Sequence, residues 1–166
     1  MKPMKSIAGI LGILLALCLL GGCLSAQQGT ACQVYFWNQE LGQGPVLQGE
    51  TRMLPEGEDP VAFLLDCLLE GPQEEGLSRT IPNGVTLKNW KLENGVLSVD
   101  FSSWYGSLSG IALTLADYSV VLTLTQLEDV EAVEITAGGE QLLYRDHQRL
   151  TAKDAWVAGL AEENGT

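Results

Sequence analysis

Side chains do chemistry as a nucleophile with its base, a cluster of metal ligands or a convergent pair of carboxylates. This sequence offers few of those parts. Its one histidine, His147, lies between Asp146 and Gln148 in a charged C-terminal stretch and reads as a solvated surface residue. With a single histidine, and with Cys18 and Cys23 at the N-terminal end, a His/Cys metal site lacks ligands. Glu74-Glu75 and Glu162-Glu163 are adjacent carboxylates, the usual pattern of solvated loops. Asp100 alternates with Val99 and Phe101, which places it on the opposite face of a strand as an exposed or turn-bonding residue. No glycine-rich phosphate loop, serine-centred elbow or calcium loop is present. No catalytic residue, metal or cofactor is therefore expected. Recognition has more scope at Trp104 and Tyr105, two rings in the Ser/Gly-rich stretch Ser102 to Gly110. Exposed, they would serve a protein contact or stack on a saccharide. The alternative is that they tuck under the following helix and complete the core.

Cys23 is set apart by what precedes it. Lys2 and Lys5 lead into an uncharged run from Ile7 to Leu20, which breaks at Gly21-Gly22. The run has the length of an export signal and falls short of the roughly 20 apolar residues of a spanning helix. A Leu20-Gly21-Gly22-Cys23 ending resembles the bacterial lipobox, in which the cysteine thiol is diacylated and cleavage then makes it the first residue of the mature protein. Residues 1–22 are thus expected to be a lipoprotein signal peptide. Residues 23–32 would be the lipidated cysteine and a polar tether, on the extracytoplasmic face of the membrane. An uncleaved anchor helix would place the rest of the chain on the same side. Cys32 and Cys67 remain; in an exported domain they are a candidate disulfide, the alternative being two small apolar residues in the core.

Cleavage would remove two of nine basic residues and none of 21 acidic ones, leaving 144 residues with a net charge of −14. That length suits one domain with a real core. The charge repels phosphate backbones and anionic headgroups, so nucleic acid is excluded as a partner.

The elements that must position these residues follow from pattern. Val34 to Trp37 is β-branched and aromatic and reads as a strand; Glu50 to Leu54 is a second short one before Pro55. Asp59 and Pro60 start a helix whose Val61, Leu64, Leu65 and Leu68 share a face, and Gly71-Pro72 stops it. Leu87 to Leu92 and Val96 to Phe101 alternate about the Asn94-Gly95 turn, with Trp90, Leu92, Leu97, Val99 and Phe101 facing the core. Ile111 to about Leu127 is a helix with Ile111, Leu115, Tyr118 and Leu122 on one face and Ser109 as its cap. Val130 to Thr136 is the last strand, with Gln141 to Tyr144 able to pair with it. A charged tail, 146–166, carries a short helix near Ala155 to Leu160. The economical arrangement is an α+β two-layer sandwich, a small mixed sheet with two helices on one face in β-α-β-β-α-β order.

Between Leu68 and Ser102 these pieces form a recognisable series. Leu68-Leu69-Glu70-Gly71-Pro72 ends the helix, Ile81-Pro82-Asn83-Gly84 makes a turn, and the hairpin closes on Val99-Asp100-Phe101-Ser102. Downstream come Val121-Leu122-Thr123-Leu124-Thr125 and then Val130, Val133 and Ile135. The series resembles the GerMN domain of spore germination and sporulation proteins, over residues 33–145. Thr136-Ala137-Gly138 is a looser match to the Val-x-Gly ending usual there. The resemblance implies a fold akin to ring-building domains of sporulation secretion complexes, and a non-catalytic role in protein–protein assembly, with envelope proteins or copies of itself. The alternative is a small ligand-binding lipoprotein that recognises a wall saccharide or peptide through Trp104. An edge strand such as Val34 to Trp37, or an uncovered sheet face, is a further docking surface.

Overall fold

The computed structural model describes residues 29–40, 44–143, 145 and 147–162. The expected signal peptide, Cys23 and residues 24–28 lie outside them. The described chain opens with a long hairpin: β1 (Gly29–Asn38) and β2 (Leu47–Pro55) pair antiparallel from Gly29↔Pro55 to Trp37↔Leu47. Strand alternation buries Val34 and Phe36 completely and turns Tyr35 and Trp37 to the other face. Gly29 to Cys32, expected in the tether, are ladder residues opposite Arg52 to Pro55. Their composition carries no local strand signal; the pairing comes from the partner strand. The two-residue strand β3 (Leu77–Ser78) adds to the other side of β1 at Trp37 and Asn38, giving the order β2-β1-β3.

Helix α1 (Pro60–Glu70) begins as its sequence requires. The Asp59 carboxylate accepts the Ala62 N–H at 2.8 Å, and Pro60 sits in the first turn, where no N–H is needed. Val61, Leu64, Leu65 and Leu68 are buried, each contributing roughly 1.5–3 kcal/mol on transfer from water. Gly71, at φ 89°, ends the helix.

The second sheet is mixed. β4 (Leu87–Glu93) and β5 (Val96–Phe101) form the hairpin, closed by Asn94 and Gly95 at φ 51° and 78°, the positive values that a tight two-residue turn demands. A 3-10 helix (Ser103–Ser107) and α2 (Gly110–Leu124) carry the chain across, and β6 (Ala132–Ala137) returns parallel to β5. β7 (Glu140–Gln141) and β8 (Arg149–Leu150) pair antiparallel with β6 at its two ends. A last short helix, α3 (Ala152–Val157), starts at a reciprocal cap between Thr151 and Asp154.

The α+β class, the mixed sheet and the two principal helices are as the sequence implies. The strands, however, divide between two hydrogen-bonded sheets, and β2, β3, β7 and β8 extend the simpler order. One core joins the sheets: Phe36 from β1, Leu65 from α1, Phe101 from β5, Val121 from α2 and Ile135 from β6 belong to a single cluster. α2 is enclosed on two sides. Its Val120, Val121 and Leu124 enter that cluster, while Leu115 and Leu122 join Leu47, Ala155 and Ala161 in a smaller one. The expected face is therefore the minor one, and Ile111 is 79% exposed. A helix apolar all round has no single face to read. Among the described residues no helix is long and apolar enough to cross a membrane.

Candidate interaction surface

The two aromatic rings singled out by the sequence part company. Trp104 is 57% exposed, whereas Tyr105 is fully buried. Tyr105 stacks on Phe101 with centroids 4.8 Å apart and an interplanar angle of 14°. Its hydroxyl donates to Asp117 Oδ1 at 2.8 Å. Tyr105 is thus a core residue and not part of an interaction surface. The 3-10 turn that begins at Ser103 points successive side chains in different directions, so one ring goes in and the other out.

Asp117 sits midway along α2 and is buried, as is the Arg145 side chain. Arg145 donates from Nε to Asp117 Oδ2 and from Nη2 to Oδ1, both at 2.6 Å, and from Nη1 to the Ile135 carbonyl at 2.7 Å. Such a forked pair satisfies both carboxylate oxygens. Burial, and then the Asp117 charge, push the Tyr105 hydroxyl well above its ordinary range, so it stays a donor. Sequence patterning does not reveal this triad: Asp117 lies in an apolar run and Arg145 is 28 residues away. An acid amid apolar helical residues is the one available signal. Beside it lies a cavity of about 330 Å³ lined in part by Thr114, Tyr118 and His147. His147 is half-exposed and lies 3.7 Å from Asp154, in keeping with a surface residue.

A second buried charge network holds the end of α1. Glu50 on β2 takes the Arg52 guanidinium on one oxygen and the backbone N–H groups of Gln73 and Glu74, both at 2.7 Å, on the other. Arg52 also donates to the Gly71 carbonyl at 2.8 Å, and Arg79 donates to the Leu69 and Glu70 carbonyls. The last carbonyls of a helix have no internal partner, and two arginines supply one here. A Cβ at Gly71 would run into the Arg79 guanidinium. The Leu-Leu-x-Gly-Pro helix end is thus a docking point for charges from β2 and the following loop.

Asp100 is a turn-bonding residue. Its Oδ1 accepts the Thr136 hydroxyl at 2.7 Å and the Gly139 N–H at 2.8 Å, which ties the hairpin to the Gly138-Gly139 turn. Cys32 and Cys67 are separate buried thiols, not a disulfide, and burial pushes both up from their ordinary value. One faces inward from β1 and the other from α1, each as a small apolar residue of the common core. No group of three or more His, Cys, Asp or Glu residues poised to hold a metal occurs among the described residues.

Strand edges decide which backbone is open to a partner. β1, expected as an edge, is the central strand of its sheet. On its far side Gln126 accepts the Gln33 N–H and donates to the Gln33 carbonyl, and the Thr123 hydroxyl accepts the Tyr35 N–H at 3.0 Å. The long edge strand is β2, whose outward Leu47 N–H donates to the Leu160 carbonyl at 2.7 Å. Beyond it, Gly49, Thr51 and Met53 have no strand partner on that side among the described residues.

Comparison with known proteins gives the family. A family model described as "Germane: Sporulation and spore germination" matches residues 33–143. A search of the curated proteins finds no match. Among solved structures, the first GerMN domain of the sporulation protein GerM from Bacillus subtilis superposes with a TM-score of 0.64 at 21% identity, covering 75% of this chain and 99% of that one. The tandem GerMN domains of the same protein give a TM-score of 0.55 at 21% identity over 68% of this chain, which spans 40% of the tandem structure. With a match from the middle of β1 to beyond β7, and the fold to go with it, the chain belongs to the Germane family.

Proposed function

We propose that this protein is a lipid-anchored lipoprotein of the extracytoplasmic membrane face that assembles with envelope proteins or with itself, without catalysis, in sporulation or spore germination. The observation that carries the reading is the Leu20-Gly21-Gly22-Cys23 ending a short way upstream of a Germane unit. Two acyl chains make membrane attachment durable, since each buried CH₂ contributes about 0.8 kcal/mol. A short interval, Leu24 to Gln28, then separates the lipid from β1 and keeps the domain close to the surface. The internal use of the charged side chains supports a non-catalytic role: Glu50, Arg52, Asp117 and Arg145 all bond to other parts of the fold. The test is a crosslinking pull-down from native membranes with Cys23 intact and with Cys23→Ser. Specific envelope proteins or self-adducts that depend on Cys23 are the expected result; scattered background in both would overturn it.

A second reading is favoured by Trp104 alone. An indole 57% exposed on a short turn is a platform for stacking a wall saccharide or peptide. If Trp104→Ala abolishes binding to wall fragments while the crosslinked partners persist, ligand recognition takes first place.

A further inference from the structure

The outward edge of β2 is open along most of its length. Leu47 commits its outward N–H to Leu160, and strand alternation turns the N–H and carbonyl groups of Gly49, Thr51 and Met53 to the same side. No backbone partner meets them there among the described residues. The usual guards of an exposed edge are missing: Leu47 to Leu54 contains no lysine or proline, and the register with β1 runs without a bulge.

A groove follows the flank of α1 nearest β2. It holds about 460 Å³, and its lining includes Glu58, Asp59, Phe63, Asp66, Cys67 and Glu70. Arg52 of β2 lies beside the Cys67 thiol and reaches on to the Gly71 carbonyl and to within 3.8 Å of Glu70. A second hollow of about 330 Å³ shares Pro55 and Glu58 with the groove and adds Glu56. None of the residues lining either hollow is basic, and the nearby Arg52 is already paired with Glu50. Carboxylates thus stand along a groove that has Phe63 as its apolar surface.

Edge and groove suit one kind of ligand. A strand laid against Gly49, Thr51 and Met53 turns alternate side chains to the face that Glu50 and Arg52 occupy, and that face carries α1. A long basic side chain there can rest its aliphatic stem on Phe63 and bring its charge to Asp66 and Glu70.

We propose that β2 accepts an extended segment of a partner protein as an added strand, and that this segment is basic at alternate positions. Backbone pairing supplies the attachment, and the groove supplies the choice of sequence. The inference names the partner chemistry within the assembly with envelope proteins proposed above, and rests on that reading. A second copy of this chain, with its net charge of −12, meets the groove with like charge.

Capped eight-residue peptides that alternate Val with Arg, or Val with Glu, test it by titration against the mature chain carrying Cys23→Ser. The Arg peptide is expected to bind, and the Glu peptide to bind at least about tenfold more weakly. Asp66→Asn with Glu70→Gln should weaken the Arg peptide about tenfold, whereas Glu131→Gln with Glu140→Gln, exposed beside the second sheet, should not. Strand addition is read from the peptide itself, where no folding defect interferes. N-methylating one alternate set of its amides should abolish binding, and methylating the other set should spare it. The set that matters gives the direction of the added strand: the Val amides for an antiparallel segment, the Arg amides for a parallel one. Equal effects of the two methylated sets, equal losses in the two double variants, or no binding of the Arg peptide overturns the proposal. A dimer of the chain that Thr51→Pro dissociates overturns it too, since the edge would then hold a second copy. None of these outcomes alters a Cys23-dependent pull-down of envelope proteins, so the two readings fail separately.

Discussion

The two buried ion pairs among the described residues share their chemistry and differ in reach. Glu50 and Arg52 stand on one strand, two residues apart, and extend outward to the loop that leaves α1. Asp117 and Arg145 are joined across 28 residues, and their bonds turn inward, to Tyr105 and Ile135. The first network clamps the backbone that leaves α1, and Arg52 also lies 3.8 Å from the exposed Glu70. The second satisfies a carboxylate in the middle of a buried helix, with no exposed ion-pair partner beside it among the described residues. Both pairs are buried, but loss of Glu50 leaves Arg52 with the Gly71 carbonyl and with Glu70 nearby, whereas loss of Arg145 leaves Asp117 with the Tyr105 hydroxyl and no cation beside it among the described residues.

That difference fixes an order of effects. Arg145→Ala strands Asp117 and should cost about 3–5 kcal/mol, read from chemical denaturation. Replacing both members, Asp117→Leu with Arg145→Met, should recover most of that loss; if it does not, the pair contributes more than mutual neutralisation. Glu50→Ala should cost less, about 2–3 kcal/mol, because Arg52 keeps its bond to Gly71 and its proximity to Glu70. An equal loss in the two variants would erase the distinction between a charge with a second partner nearby and a charge without one. Tyr105→Phe keeps the stack on Phe101 and removes one charge-assisted bond, for about 1.5 kcal/mol.

The smallest effect is a matter of pH. Burial alone raises the Asp154 carboxyl, but bonds from the Thr151 hydroxyl and backbone N–H, with His147 nearby, outweigh it and hold the carboxyl below its ordinary value. A carboxyl lowered by folding stabilises fully above its unfolded value, about 4, and that contribution is lost as pH falls through the lower folded value. Protection of the amides of residues 152–158, taken relative to their intrinsic exchange rate at each pH, should therefore fall under acid before protection in β5 does, with Asp154→Asn abolishing the difference.

How legible the fold was in the sequence depended on distance along the chain. α1 could be read whole, because Asp59, Pro60 and Gly71 each act on their own helix terminus. The β4–β5 hairpin was equally plain, since Asn94-Gly95 dictates its turn. Gly29 to Cys32 and β8 were not legible; they are strands only because Arg52 to Pro55 and β6 lie beside them. The same holds for the candidate surface. Trp104 could be named from composition, but the separation of Tyr105 from it depends on Asp117, and the burial of Asp117 depends on Arg145.

One detail of the first sheet sets a limit on how such molecules could stack. The far side of β1 is closed by the two-residue β3 and by side chains of Thr123 and Gln126, leaving β2 as the long open edge. A sheet that can be lengthened at one end only has a valence of one. Two copies joined there would use up each other's free edge, and a third would find no strand to add to. Through that sheet, the domain can end a stack but cannot propagate one.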